Sequence, residues 1–131
     1  MIRPKVVEIK KALSLPSCDM VEKISQLIPS LPDIREATKK KFGCDPCLWQ
    51  MKIAQAILKG DRDVILTSAT GSGKTLTFWM PLLFRDQGIQ IVCTPLNILG
   101  SINAQALAEY GIPAINVTAE NATAVTFKVR V

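Results

Sequence analysis

Apolar positions recur along this chain in two rhythms. Before residue 60 they return every three or four places: Val6, Ile9 and Leu13, then Val21, Ile24, Leu27 and Ile28. That spacing predicts two or three short amphipathic helices across residues 5–43. Pro16, Pro29 and Pro32 punctuate them, with Ser17 and Asp33 as caps. Asp45-Pro46 reads as a cap followed by a first-turn proline, opening a helix that runs to Lys59 and stops at Gly60. The rhythm then changes. Short apolar runs at 63–67, 89–93 and 112–117 read as strands, separated by helices over 74–85 and about 97–110. Strands alternating with helices predict an α/β fold with a parallel sheet, whose ligands bind at the carboxyl ends of the strands. Both residues 68–75 and residues 94–96 fall at such ends. Residues 124–131 alternate like a further strand. The predicted organisation is a helical N-terminal extension, 1–43, followed by the α/β domain, 44–131.

The first of those strand ends carries chemistry. Ser68-Ala69-Thr70-Gly71-Ser72-Gly73-Lys74-Thr75 follows a strand and opens a helix, the context a phosphate-binding loop requires. Gly71 and Gly73 let the backbone curl with positive φ and approach a polyphosphate with no Cβ in the way. The curled N–H groups form an anion nest, and the helix dipole aims at the same point. Lys74 suits the β- and γ-phosphates, and the Thr75 hydroxyl suits Mg²⁺. Ser68 stands where the common form of this loop has glycine.

Composition changes this picture little. The chain has 131 residues, 48% of them hydrophobic and 21% charged, enough for one core. Its net charge of +5 lies mostly in residues 1–43 and fits a nucleic-acid partner without requiring one. The run Lys39-Lys40-Lys41 reads equally as a solvated helix face. No apolar run reaches membrane-spanning length and no signal core opens the chain, so an intracellular protein is expected. Cys44-Asp45-Pro46-Cys47 is a lone C-x-x-C in a chain with no histidine. Incidental cysteines are expected there, not a zinc site.

With the loop placed, the surroundings resemble superfamily 2 helicases of the DEAD/DEAH type, and among them RecQ-like DNA helicases. Phe42-Gly43 and Gln50 look like the family's upstream adenine-reading motif. Gly60 and Asp63-Val64-Ile65-Leu66 look like the lead-in to motif I, which Thr70 to Thr75 supplies. Thr94-Pro95-Leu96 looks like motif Ia. Phe78-Trp79-Met80-Pro81 and Gly111-Ile112-Pro113-Ala114 match the family's rhythm. The resemblance covers about three-fifths of the chain. It implies a partial RecA-like P-loop NTPase domain using ATP and Mg²⁺. In it Thr70, Gly71, Ser72, Gly73, Lys74 and Thr75 hold the nucleotide, Lys74 serves catalysis and Thr75 the metal. Gln50 would pair with the adenine edge, and Thr94, Pro95 and Leu96 would touch the phosphates of single-stranded or partly duplex DNA. Unwinding 3′ to 5′ and a nuclear location are implied by the same route. Taken alone, Gln50 reads as a polar helix residue, Trp49 as core and Thr94 as a strand end. RecQ-like members often carry an Arg shortly before the Gln; here Cys47, Leu48 and Trp49 occupy those places.

The departure of most consequence lies downstream. Hydrolysis in this family needs an Asp-Glu motif to hold Mg²⁺ and activate water, and no Asp-Glu pair follows Thr75. The family pattern lapses near Thr123. Three readings follow: the ATP- and DNA-binding part of a helicase without its hydrolytic half, a non-catalytic nucleotide- and DNA-binding module, or a different P-loop enzyme such as a small kinase. A kinase needs lid arginines downstream, and after residue 85 only Arg130 is present.

Overall fold

A computed structural model describes residues 28–85, 89–123 and 126, together with the backbone course of 5–10. The elements of the first unit, Met1–Ile89, are strand β1 (Lys5–Lys10), helices α1 (Leu31–Phe42) and α2 (Leu48–Lys59), strand β2 (Arg62–Thr67), helix α3 (Lys74–Trp79) and a 3₁₀ helix (Met80–Phe84). The second unit, Gln90–Val131, holds helix α4 (Asn97–Glu109).

Local sequence sets the helix ends. Ser30 caps α1. Its Oγ accepts the N–H of Asp33 at 3.3 Å, and the Asp33 carboxylate accepts the Ser30 N–H at 3.0 Å, a reciprocal capping box. Those hydrogen bonds from Ser30, side chain first, hold the Asp33 carboxyl below its ordinary range. Asp33 was expected as the cap itself; it is instead the third residue of the helix, closing the box onto Ser30. Gly43 closes α1 in the left-handed region at φ 69°, with Lys39, Lys40 and Lys41 on the negative end of the helix dipole. α2 starts two residues later than Asp45-Pro46 suggested, with Cys47 as cap, and Asp45 instead pairs with Arg35 at 2.7 Å.

Ile34, Met51, Ala54 and Met80 form the core, ringed by Leu31, Leu76 and Phe84. Ile34, Thr38 and Phe42 lie one above the other on α1, which is why one face of that helix goes inward. Thr38 is fully buried, and its hydroxyl donates to the Ile34 carbonyl at 2.6 Å, so no polar group is left unpaired there. Phe42 meets Trp79 at a ring separation of 5.8 Å. The helix expected over 74–85 tightens to a 3₁₀ helix from Met80 onward. Pro81 has no N–H to donate, and its ring crowds the carbonyl four residues back.

The sheet differs from expectation in hand and membership. β1 pairs with β2 antiparallel, from Lys5 opposite Thr67 to Lys10 opposite Arg62. Helical spacing of Val6 and Ile9 predicted a helix here. Val6, Val7 and Ile9 are β-branched and stiff at χ1, and in the fold they answer the free hydrogen-bonding edge of β2 instead. The predicted parallel sheet is not formed among the described residues. Segments 89–93 and 112–117 are not in strands, and Ile89, Ile91 and Ile115 are exposed. A fully apolar strand of a parallel sheet needs cover on both faces. The expected helices over 11–27, with Leu13, Ser17 and Val21, and the expected strand over 124–131 lie outside the described residues apart from Thr126.

In the second unit, α4 ends in a Schellman turn: Gly111 at φ 68° donates to the Ala108 carbonyl and Ile112 to that of Leu107, both at 2.9 Å. The following segment folds back on the helix through Asn116, whose amide donates to the Asn97 carbonyl at 3.1 Å and the Ser101 hydroxyl at 2.9 Å. A Cβ at Gly100 would fall inside the Asn116 amide, so that approach requires glycine. No helix among the described residues is long and apolar enough to cross a membrane.

Candidate functional site

The phosphate loop begins where β2 ends. Arg62, Val64 and Leu66 are half-buried while Asp63, Ile65 and Thr67 are exposed, and the strand leads directly into Ser68. Gly71 and Gly73 stand at φ 76° and 80°, the left-handed conformation the sequence required of them. Ser72 donates its N–H to the Ala69 carbonyl at 3.3 Å, closing the turn.

Two side-chain links span the loop. The Ser68 and Ser72 hydroxyls are bonded to each other at 2.7 Å. Lys74 reaches back from the first turn of α3, its Nζ donating to the Ala69 carbonyl at 2.7 Å and that of Ser68 at 3.2 Å. An ammonium has three protons, so a third donor remains for an anion at the loop. Thr70 and Thr75 are exposed, and Thr77 is buried with its hydroxyl donating to the Lys74 carbonyl at 2.6 Å. The first turn of α3 is thereby held from two sides.

Gln50 joins this site from α2. Its Oε1 accepts the Cys47 N–H at 2.7 Å and its Nε2 donates to the Gly73 carbonyl at 3.0 Å, while the residue is only 6% exposed. Sequence reasoning placed Gln50 near the nucleotide but missed this link to the loop. The signal was present as Cys47-x-x-Gln50, a capping box whose first residue is cysteine in place of Ser or Thr. The Ser68–Ser72 bridge was also missed; the serine in a glycine position was its mark.

The structure brings Gln50 and residues 70–75 together. Thr94, Pro95 and Leu96 belong to the second unit. There the Thr94 hydroxyl donates to the Leu96 carbonyl at 3.1 Å, and Leu96 caps α4 by accepting the Leu99 N–H at 3.1 Å. Pro95 and Leu96 are exposed. No Lys or Arg occurs between residues 90 and 123. Cys44, Cys47 and Cys93 are free, exposed thiols. An apolar cleft of about 340 Å³, lined by Ile53, Ile57, Val64, Leu66 and Phe78 among others, runs beside β2 and includes no residue of the loop.

The sequence matches a known family and known proteins over part of its length. Residues 48–128 match the model of the DEAD/DEAH box helicase family, which extends past Thr123, where the pattern was expected to lapse. Over 65 residues, 48% of its length, the chain is 38% identical to the ATP-dependent DNA helicase Q5 of Rattus norvegicus. It is equally similar over the same length to the protein of that name from Mus musculus. The chain spans 7% and 6% of the length of these two relatives. No solved structure matches it significantly.

Proposed function

We propose that this chain, which belongs to the DEAD/DEAH box helicase family, is an ATP–Mg²⁺- and DNA-binding element of the RecQ-like helicase type. The family implies a RecA-like fold, ATP with Mg²⁺ and a nucleic-acid partner. In this reading Thr70, Gly71, Ser72 and Gly73 cradle the polyphosphate with backbone N–H groups. Lys74 exchanges its two carbonyl partners for the β- and γ-phosphates, and Thr75 offers its hydroxyl to Mg²⁺. Gln50 keeps a second amide proton for the adenine edge. Thr94, Pro95 and Leu96 meet DNA phosphates through the threonine hydroxyl and backbone groups. The location that goes with such a role is nuclear, and the direction of unwinding 3′ to 5′.

One observation carries the proposal: a loop with glycines at φ 76° and 80° and a lysine whose Nζ already lies across its carbonyls. Calorimetric titration of wild type and Lys74→Ala with ATP–Mg²⁺ tests it. Loss of binding in the variant is expected, because no other basic residue lies in the loop. Equal affinities refute it.

Turnover by residues 1–131 is proposed to be negligible. Past the loop the acids are Asp86, Glu109 and Glu120 alone, with no Asp-Glu pair. Glu109 and Glu120 are exposed. This favours the non-catalytic module as the second reading. DNA-stimulated hydrolysis at an ordinary enzyme rate of about 1–1000 per second would overturn it.

A further inference from the structure

We propose that Gln50 is a positioning residue that sets the phosphate affinity of the loop through the Gly73 carbonyl, independently of any base. The inference rests on the nucleotide-binding reading above and adds to it a role that a ligand without adenine would reveal.

Gln50 is 6% exposed and committed at both ends of its amide. Oε1 holds the Cys47 N–H at the start of α2, and Nε2 holds the Gly73 carbonyl 23 residues away. The Gly73 carbonyl also accepts the Leu76 N–H at 3.2 Å, so it is the acceptor that opens α3. The contact is close: a Cβ built on Gly73 would lie 2.6 Å from the Gln50 nitrogen. Gly73 and Lys74 share one peptide plane. In a trans peptide the carbonyl and the following N–H point in opposite directions. A side chain that fixes the Gly73 carbonyl therefore fixes the Lys74 N–H, aimed away from Gln50. That N–H is one of the loop donors on which a phosphate depends, and Lys74 itself hangs from the same plane. A Gln that only reads a base would have no reason to be buried against this carbonyl.

The test is calorimetric titration, in Mg²⁺, of wild type, Gln50→Ala and Gln50→Met with inorganic tripolyphosphate and with ATP. Circular dichroism verifies folding at the working temperature. Met keeps the length and bulk of Gln, so the comparison survives if the Ala variant fails to fold. A purely structural role lowers the melting temperature and leaves the affinity of the folded protein unchanged. The expected result is a loss of about three- to tenfold, the worth of one hydrogen bond, equal for tripolyphosphate and ATP. Tripolyphosphate affinity at the wild-type level, with or without a loss for ATP, overturns the proposal. Wild type that binds neither ligand refutes the nucleotide-binding reading itself, and this proposal with it.

Discussion

Replacing Gly73 by alanine probes the site at its tightest point. Gly73 stands at φ 80°, where an L side chain costs about 1–2 kcal/mol. The added methyl would also lie 2.6 Å from Gln50 Nε2, too close to persist, so Gln50 must swing away from the Gly73 carbonyl. Loss of that bond adds about 0.5–1.5 kcal/mol. Gly71 supplies the control. It has nearly the same φ, 76°, and nothing within 4 Å of its built Cβ, so Gly71→Ala carries the backbone cost alone. Urea denaturation of both variants should therefore find Gly73→Ala the less stable by about 1 kcal/mol. In the double variant Gly73→Ala, Gln50→Ala the effects should fall short of additive, since both remove one contact. Equal costs for the two glycines together with strict additivity would show that Gln50 does not hold the loop.

Further outcomes follow from other parts of the fold. Ser30→Ala should cost about 1 kcal/mol by removing the α1 cap. The lowered Asp33 carboxyl stabilises the fold above its unfolded value of about 3.8, and that contribution is lost as pH falls through the folded value; the variant's urea midpoint between pH 6 and pH 3 should vary less than wild type's. Ile34→Ala opens a cavity at a fully buried position and should cost about 2–5 kcal/mol, read by thermal unfolding. Thr94→Glu should weaken single-stranded DNA binding for every sequence alike. With no cation between residues 90 and 123, the affinity at this site should change little with salt, and a steep salt slope would move the binding to the basic N-terminal region.

What could be read from the sequence depended on how far each constraint reaches along the chain. Gly71 and Gly73 are constrained by neighbours a few bonds away, and their backbones lie as expected. So do the helix stops at Gly60 and Gly111, since a left-handed C-cap is a local requirement. Strand pairing is not local. The nearest partners of β1 and β2 along the chain, Lys10 and Arg62, are 52 positions apart, and nothing in Val6 or Ile9 names the partner. The same holds for Gln50, whose identity as a bridging residue depends on a carbonyl 23 positions away. Pro81 stands within the helix expected over 74–85, and its single missing donor is enough to tighten the last turns before Arg85.

The hydroxyl bridge between Ser68 and Ser72 bears on how an anion is received. A loop of bare glycines samples many shapes and must be frozen by its ligand, at a cost in chain entropy. Here the two serines cross-brace the turn, and Lys74 stitches the Ser68 and Ala69 carbonyls at its entry. Arrival of a polyphosphate then exchanges hydrogen-bond partners inside a mould that already exists. Such exchange registers as a small heat-capacity change and little ordering entropy, because almost no apolar surface is covered and almost no chain is newly fixed. The serine standing in a glycine's place acts, on this view, as a built-in splint.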